Sequence, residues 1–162
     1  MKKRLLCLFL AALMLLCTCF VACDEEEPEQ TPAPQFVPPP FEAAAVAGEH
    51  DVQEGQRGYS ELDARGVYKV GVCGMIIVEE NKAEVWFTNP AENAVWLKLR
   101  VQDSDTGAIL GETGLLKPGE YVKYVSFTKV PPKGASLTLR VMSYEPETYY
   151  SKGEVTLNTV AS

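Results

Sequence analysis

The chain has a single histidine, His50, and no CxxC, HExxH, G-x-S-x-G or phosphate-loop pattern anywhere in its 162 residues. Zinc and transition-metal sites need several nitrogen or sulfur ligands at short spacings, and hydrolytic sites need a nucleophile with a matched base. Neither set can be assembled here, so the expectation is a non-enzymatic protein with no cofactor and no metal. His50 itself, between Gly48 and Gly55, reads as a solvated side chain. No stretch of ten residues keeps a helical apolar period, which leaves an all-β chain as the expected class. Cysteine is scarce where it would matter: Cys7, Cys17, Cys19 and Cys23 crowd the N-terminus and Cys73 stands alone, so no intrachain disulfide is expected. A basic surface is missing too. Residues 67–162 hold eleven acids against ten bases, which lacks the footprint that a phosphate backbone requires. Nucleic acid is therefore not an expected partner.

What the chain does have begins with an address. Lys2, Lys3 and Arg4 precede the uncharged, mostly apolar run Leu5 to Val21, and Ala22 is a small residue before Cys23. These are the parts of a secretory signal over residues 1–22. Phe20-Val21-Ala22-Cys23 resembles a bacterial lipobox, in which the cysteine receives a diacylglycerol thioether and palmitate-type acyl chains. Phe20 stands where leucine is usual. An ordinary cleaved signal and an uncleaved anchor are the alternative readings. The lipobox reading puts the protein on the outer side of a cell membrane, lipid-anchored through Cys23.

The net charge of −7 is concentrated just beyond that point. Residues 24–66 carry −9, against +3 before them and −1 after them. The stretch from Asp24 to Phe41 holds five acids and six of the eleven prolines. Like charges repel and proline holds φ near the polyproline value, so residues 23–66 are expected to be a linker or stalk. A proline-rich ligand around Pro38-Pro39-Pro40 is the functional alternative.

Residues 67–162 read as a β-domain. Alternation places Ala83, Val85 and Phe87 on one face of a strand, with Glu84 and Trp86 on the other. A second strand sets Val95, Leu97, Leu99 and Val101 against Trp96, Lys98 and Arg100. A later one sets Leu137, Leu139 and Val141 against Thr138, Arg140, Met142 and Tyr144. A hairpin centred on Ala91 would put Trp86 opposite Trp96 and Glu84 opposite Lys98; placing the two strands in different sheets is the other arrangement. Val67 to Val78 reads as one strand bent near Gly71 to Gly74, or as two. Asp103 to Gly107 has carboxylates spaced like the start of a calcium loop, but Gly107 and Gly114 stand where further ligands are needed, so a capped turn is expected. Lys117-Pro118-Gly119 has the chemistry of a type II turn. The total is seven or eight strands with frequent turn signals, an antiparallel immunoglobulin-like sandwich.

Lys82 to Ser162 resembles small uncharacterised lipoproteins of Gram-positive type that carry an immunoglobulin-like or fibronectin-like sandwich. The matching phrases are Thr88-Asn89-Pro90-Ala91-Glu92-Asn93, Leu115-Leu116-Lys117-Pro118-Gly119-Glu120-Tyr121 and Tyr144-Glu145-Pro146-Glu147-Thr148. The resemblance implies a fold and a location but brings no reaction, cofactor or active-site residue with it. The residues themselves point to binding. Trp86, Trp96, Arg140 and Tyr144 all fall on outward faces and would form an aromatic patch with cations around it if their strands are neighbours. A protein partner at the cell envelope, or a secreted one, is the first expectation. A glycan bound on the exposed aromatics and a structural role in an envelope assembly are the alternatives.

Overall fold

A computed structural model describes residues 36–162, of which Pro38–Ser162 form one compact unit. The expected signal peptide, the lipidation site at Cys23 and most of the acidic stretch lie outside the described residues. Among those described, no helix is long and apolar enough to cross a membrane.

The unit is all-β. Ten strands follow in order: β1 (Val46–Ala47), β2 (Tyr59–Asp63), β3 (Lys69–Cys73), β4 (Ile77–Glu79), β5 (Lys82–Asn89), β6 (Trp96–Asp103), β7 (Ile109–Glu112), β8 (Glu120–Ser126), β9 (Ser136–Tyr144) and β10 (Ser151–Val160). Six of them form one sheet in the order β1-β8-β5-β3-β2, with β4 also paired to β5; the other four form a second sheet, β10-β9-β6-β7. Every strand pair is antiparallel.

The core is built by the residues that alternation puts inward. Ala83, Val85 and Phe87 of β5, Leu97, Leu99 and Val101 of β6, and Leu137, Leu139 and Val141 of β9 are each fully shielded from solvent. Val70, Val72, Val122 and Val125 join them in a single cluster drawn from both sheets. Removing such side chains from water is what holds two sheets together, at about 1.5–3 kcal/mol for each large aliphatic group.

Two expectations need correction. The first is the boundary at Val67. Within the segment expected to be linker, β2 pairs with β3 and β1 pairs with β8, so the sheet begins well before residue 67. An anchor precedes β1: Glu42 donates its N–H to Leu115 O at 2.9 Å, and its carboxylate accepts the Gly114 N–H at 2.7 Å. A methyl group on Gly114 would sit 2.5 Å from the Glu42 nitrogen, so only glycine admits the strap at that crossing. These two extra strands, with the separate β4, raise the number from the expected seven or eight to ten.

The second correction concerns the Trp86–Trp96 hairpin. β5 and β6 lie in different sheets, so neither Trp86 and Trp96 nor Glu84 and Lys98 are cross-strand partners. Both edges of β5 are taken, by β3 and β4 on one side and β8 on the other, and both edges of β6 by β9 and β7. The connection is pinned instead by Asn89, a fully buried side chain. Its Nδ2 donates to Val95 O and Leu116 O, both at 2.9 Å, and its Oδ1 accepts from Asn93 Nδ2 at 2.6 Å. Asn93 in turn exchanges hydrogen bonds with the backbone of Lys69, at 2.7 and 2.9 Å. The Asn-Pro-Ala-Glu-Asn phrase is thus a crossing between sheets, with its polar groups satisfied inside the fold.

The other turns follow their chemistry. Gly119 has φ 79° and Glu120 N donates to Lys117 O, as a type II turn demands. Asp103 Oδ1 accepts from the Asp105 and Thr106 amides and the Thr106 hydroxyl, which holds its carboxyl below the usual range.

Candidate functional site

On the four-stranded sheet, β6 and β9 align Trp96 with Tyr144, Lys98 with Met142 and Arg100 with Arg140. All six side chains therefore share the outer face, as alternation predicts. Arg100 and Arg140 face each other directly, an arrangement that repels unless each charge finds its own partner. Each does. Arg100 Nε donates to Glu112 Oε2 at 3.0 Å, and Arg140 makes two bonds of 2.7 Å to Glu154. Lys98, only 8% exposed, donates to the other Glu112 oxygen at 2.6 Å. Partial burial works to raise the Glu112 pKa, but the bonds from Lys98 and Arg100 outweigh it and hold this carboxyl below its ordinary value.

One end of this face is aromatic. The Phe41 ring meets Trp96 edge to face at 4.8 Å, and Tyr149 meets it from another side at 5.2 Å. Lys117 Nζ lies 4.7 Å above the centre of Phe41. Phe41 is 42% exposed and the neighbouring Tyr150 is 73% exposed, so the cluster reaches solvent. Phe41 and Tyr149 were not legible as site residues. Phe41 closes a proline run, and Tyr149 sits in the β9–β10 turn, where φ 59° swings its backbone into the left-handed region. No local period points from either of them to Trp96.

Trp86 is elsewhere, on the outer side of the six-stranded sheet. Between Glu84 and Phe87 the β5–β8 register slips by one residue, and Trp86 has φ 45°, a left-handed backbone that bulky side chains rarely adopt. The bulge packs Trp86 on Tyr121 with ring centres 5.9 Å apart and 25° between planes. Trp86 Nε1 donates to Glu84 at 2.6 Å, and Lys123 Nζ stands 4.9 Å from the ring centre. Glu84 is 6% exposed and is paired with both Arg57 and Lys123.

His50 belongs to this second cluster and is not solvated. Its Nε2 shares a hydrogen bond of 2.8 Å with Tyr59 OH, and its ring contacts those of Tyr59, Tyr121 and Trp86. Beneath lies a small satellite core of Val52, Tyr59 and Cys73, to which Trp86 also packs. Burial pushes the Cys73 thiol up to about 11, against a lowering pull from Arg57, so the thiolate is scarce at neutral pH. The segment from Gly48 to Gly58 thus covers part of this face.

Of the four residues expected to form one patch, the fold unites Trp96, Arg140 and Tyr144 and sets Trp86 on a different sheet. Among the described residues, no three His, Cys, Asp or Glu side chains converge to hold a metal ion. No family model, curated protein or solved structure matches this chain.

Proposed function

We propose that this is an exported lipoprotein, held at the outer side of the cell membrane by acyl chains on Cys23, whose immunoglobulin-like sandwich binds an envelope or secreted protein without catalysing a reaction. The observation that carries the binding reading is the Trp96 end of the four-stranded sheet. Trp96, Tyr144, Tyr149 and Phe41 gather there beside Lys98, Arg100 and Arg140. Aromatic side chains and arginines are the residues that dominate protein interfaces, because they bury much area at small entropic cost. The ion-paired side chains around them supply a polar rim. The acidic, proline-rich composition of residues 24–37 suits a spacer between a lipid anchor and the β-domain. The same lipoprotein character is what the resemblance of Lys82–Ser162 implies.

Two measurements test the reading. Fatty-acid labelling and membrane fractionation of the wild type and Cys23→Ser examine the anchor: labelled, membrane-bound wild type and an unlabelled, released variant are expected. Affinity capture from envelope extracts, wild type beside a folded Trp96→Ala/Tyr144→Ala variant, examines the face. A protein retained only by the wild type is expected. Retention of glycan would make this a carbohydrate-binding module, and equal capture by both forms would remove the face from consideration.

A further inference from the structure

Trp96 is held from two directions by segments far apart in the chain. Tyr149 meets its ring from the β9–β10 turn, and Phe41 meets it from the strap that precedes β1. The two holds are secured differently. The turn is closed on itself. Glu145 N donates to Tyr150 O at 2.8 Å and Tyr149 N donates to Glu145 O at 3.0 Å, while the Glu145 carboxylate accepts from the Thr148 hydroxyl and from Lys152, both at 2.9 Å. Tyr149 therefore stays in place for as long as β9 and β10 stay paired.

The strap rests on a short seat. Leu115 N donates to Pro40 O and Glu42 N donates to Leu115 O, both at 2.9 Å, so Phe41 runs beside Leu115 as a single parallel bridge. One Glu42 carboxylate oxygen accepts from Gly114 N at 2.7 Å and the other from Ala44 N at 2.9 Å. Leu115 and Leu116 are fully buried, and Leu116 exchanges backbone bonds with Leu97, the residue after Trp96. The seat is thus fixed in the sheet, whereas Pro40, Phe41, Ala43 and Ala44 on top of it are exposed. Of the two holds on Trp96, the strap is the one that can let go without unpairing β9 and β10.

We propose that residues 40–42 are a latch on the binding face. Seated, they keep Phe41 against Trp96 and the face is competent; unseated, Phe41 leaves and a partner is no longer held. An aromatic ring fixed before contact loses less freedom on binding, which is what the seated strap contributes. Glu42 is then a positioning residue that acts through Phe41. The latch rests on the binding reading given above and adds its control.

The test uses the full-length protein labelled at its two indole nitrogens, with Trp96 as the readout and Trp86, on the other sheet, as the control. Two variants unseat the strap by different means. Gly114→Ala sets a methyl 2.5 Å from Glu42 N, and Glu42→Ala removes the acceptor of Gly114 N. Each should shift the Trp96 indole signal, leave the Trp86 signal in place and lower partner capture from envelope extracts about tenfold, as Phe41→Ala should. Glu42→Gln keeps an oxygen for the Gly114 bond and should match the wild type in both readouts. If Gly114→Ala fails to fold, Glu42→Ala carries the same comparison. An unmoved Trp96 signal in the unseating variants overturns the latch, and so does a moved signal with undiminished capture. Capture lost by Trp96→Ala/Tyr144→Ala but kept by Glu42→Ala and Phe41→Ala overturns the latch alone. Capture kept by Trp96→Ala/Tyr144→Ala, or absent from the wild type, overturns the face and the latch with it.

Discussion

The outer faces of the two sheets use the same device in opposite environments. On the four-stranded sheet, Glu112 is shared by Lys98 and Arg100; on the six-stranded sheet, Glu84 is shared by Arg57 and Lys123. The Glu112 side chain is 37% exposed and that of Glu84 only 7%. The first triad takes Lys98 and Arg100 from β6, whose register with β9 is unbroken, and Glu112 from the neighbouring β7. The second sits at a bulge, under a strap of irregular chain, and also accepts the Trp86 indole N–H. A carboxylate that water can reach contributes little to stability, whereas one that is buried leaves stranded donors when it is removed. The two faces should therefore respond very differently to the same mutation.

The largest effect should come from Glu84→Ala. It removes the acceptor of the Trp86 indole and the counter-ion of Arg57 at a carboxylate that is itself largely shielded from water. Chemical denaturation should show a loss of about 2–3 kcal/mol, below the full penalty for breaking a buried pair because the Arg57 and Lys123 side chains keep some solvent contact. If the loss matches that of Glu112→Ala, burial does not distinguish the two triads and the comparison fails.

Glu112 should give a smaller effect with a definite pH dependence. Its folded pKa is depressed, so its contribution is present above the unfolded value of about 4.3 and is lost as pH falls through the folded value. Glu112→Gln should be less stable than the wild type at pH 7, by less than about 1 kcal/mol given the exposure of the site. The two proteins should converge in acid. A gap that persists at pH 2 would show that the side chain acts through packing and not through charge.

The same contrast explains what the sequence could and could not reveal. β6 and β9 alternate without interruption, so their inward residues and the company of Trp96, Arg140 and Tyr144 were legible from a period of two. Strand β5 also reads as regular, with Ala83, Val85 and Phe87 apolar, and nothing in that pattern announces the extra residue that turns Trp86. Strand β8 offers no clean period of two. Only Val122 and Val125 are buried, and they are three residues apart. β1 is two residues long and pairs with a strand more than seventy residues away, so no local pattern could mark it. The hairpin reading failed because an opposite-charge pair and an aromatic pair in one register are worth only about 0.2–1 kcal/mol each. Buried Asn89, bonded to Val95 and Leu116, ties the chain to a crossing between sheets instead.

The finest test of the comparison is a change of sign. Trp96 begins a regular strand, where glycine costs roughly 0.5–1 kcal/mol relative to alanine because it has more backbone freedom to lose. Trp86 has φ 45°, where alanine bears a left-handed penalty of roughly 1 kcal/mol that glycine escapes. Four variants suffice: Trp86→Ala, Trp86→Gly, Trp96→Ala and Trp96→Gly. Each pair loses the same ring contacts, so the differences within pairs isolate the backbone. Glycine should be the more stable replacement at position 86 and the less stable at position 96, as judged by denaturation midpoints at equal slope. Alanine winning at both positions would mean that the backbone at 86 relaxes to an ordinary strand once the indole is gone. The bulge would then be a consequence of the Trp86 side chain reaching Tyr121 and Glu84. Glycine winning at 86 would make the turn a property of the sheet itself, which presents whatever residue stands there to the edge of β8.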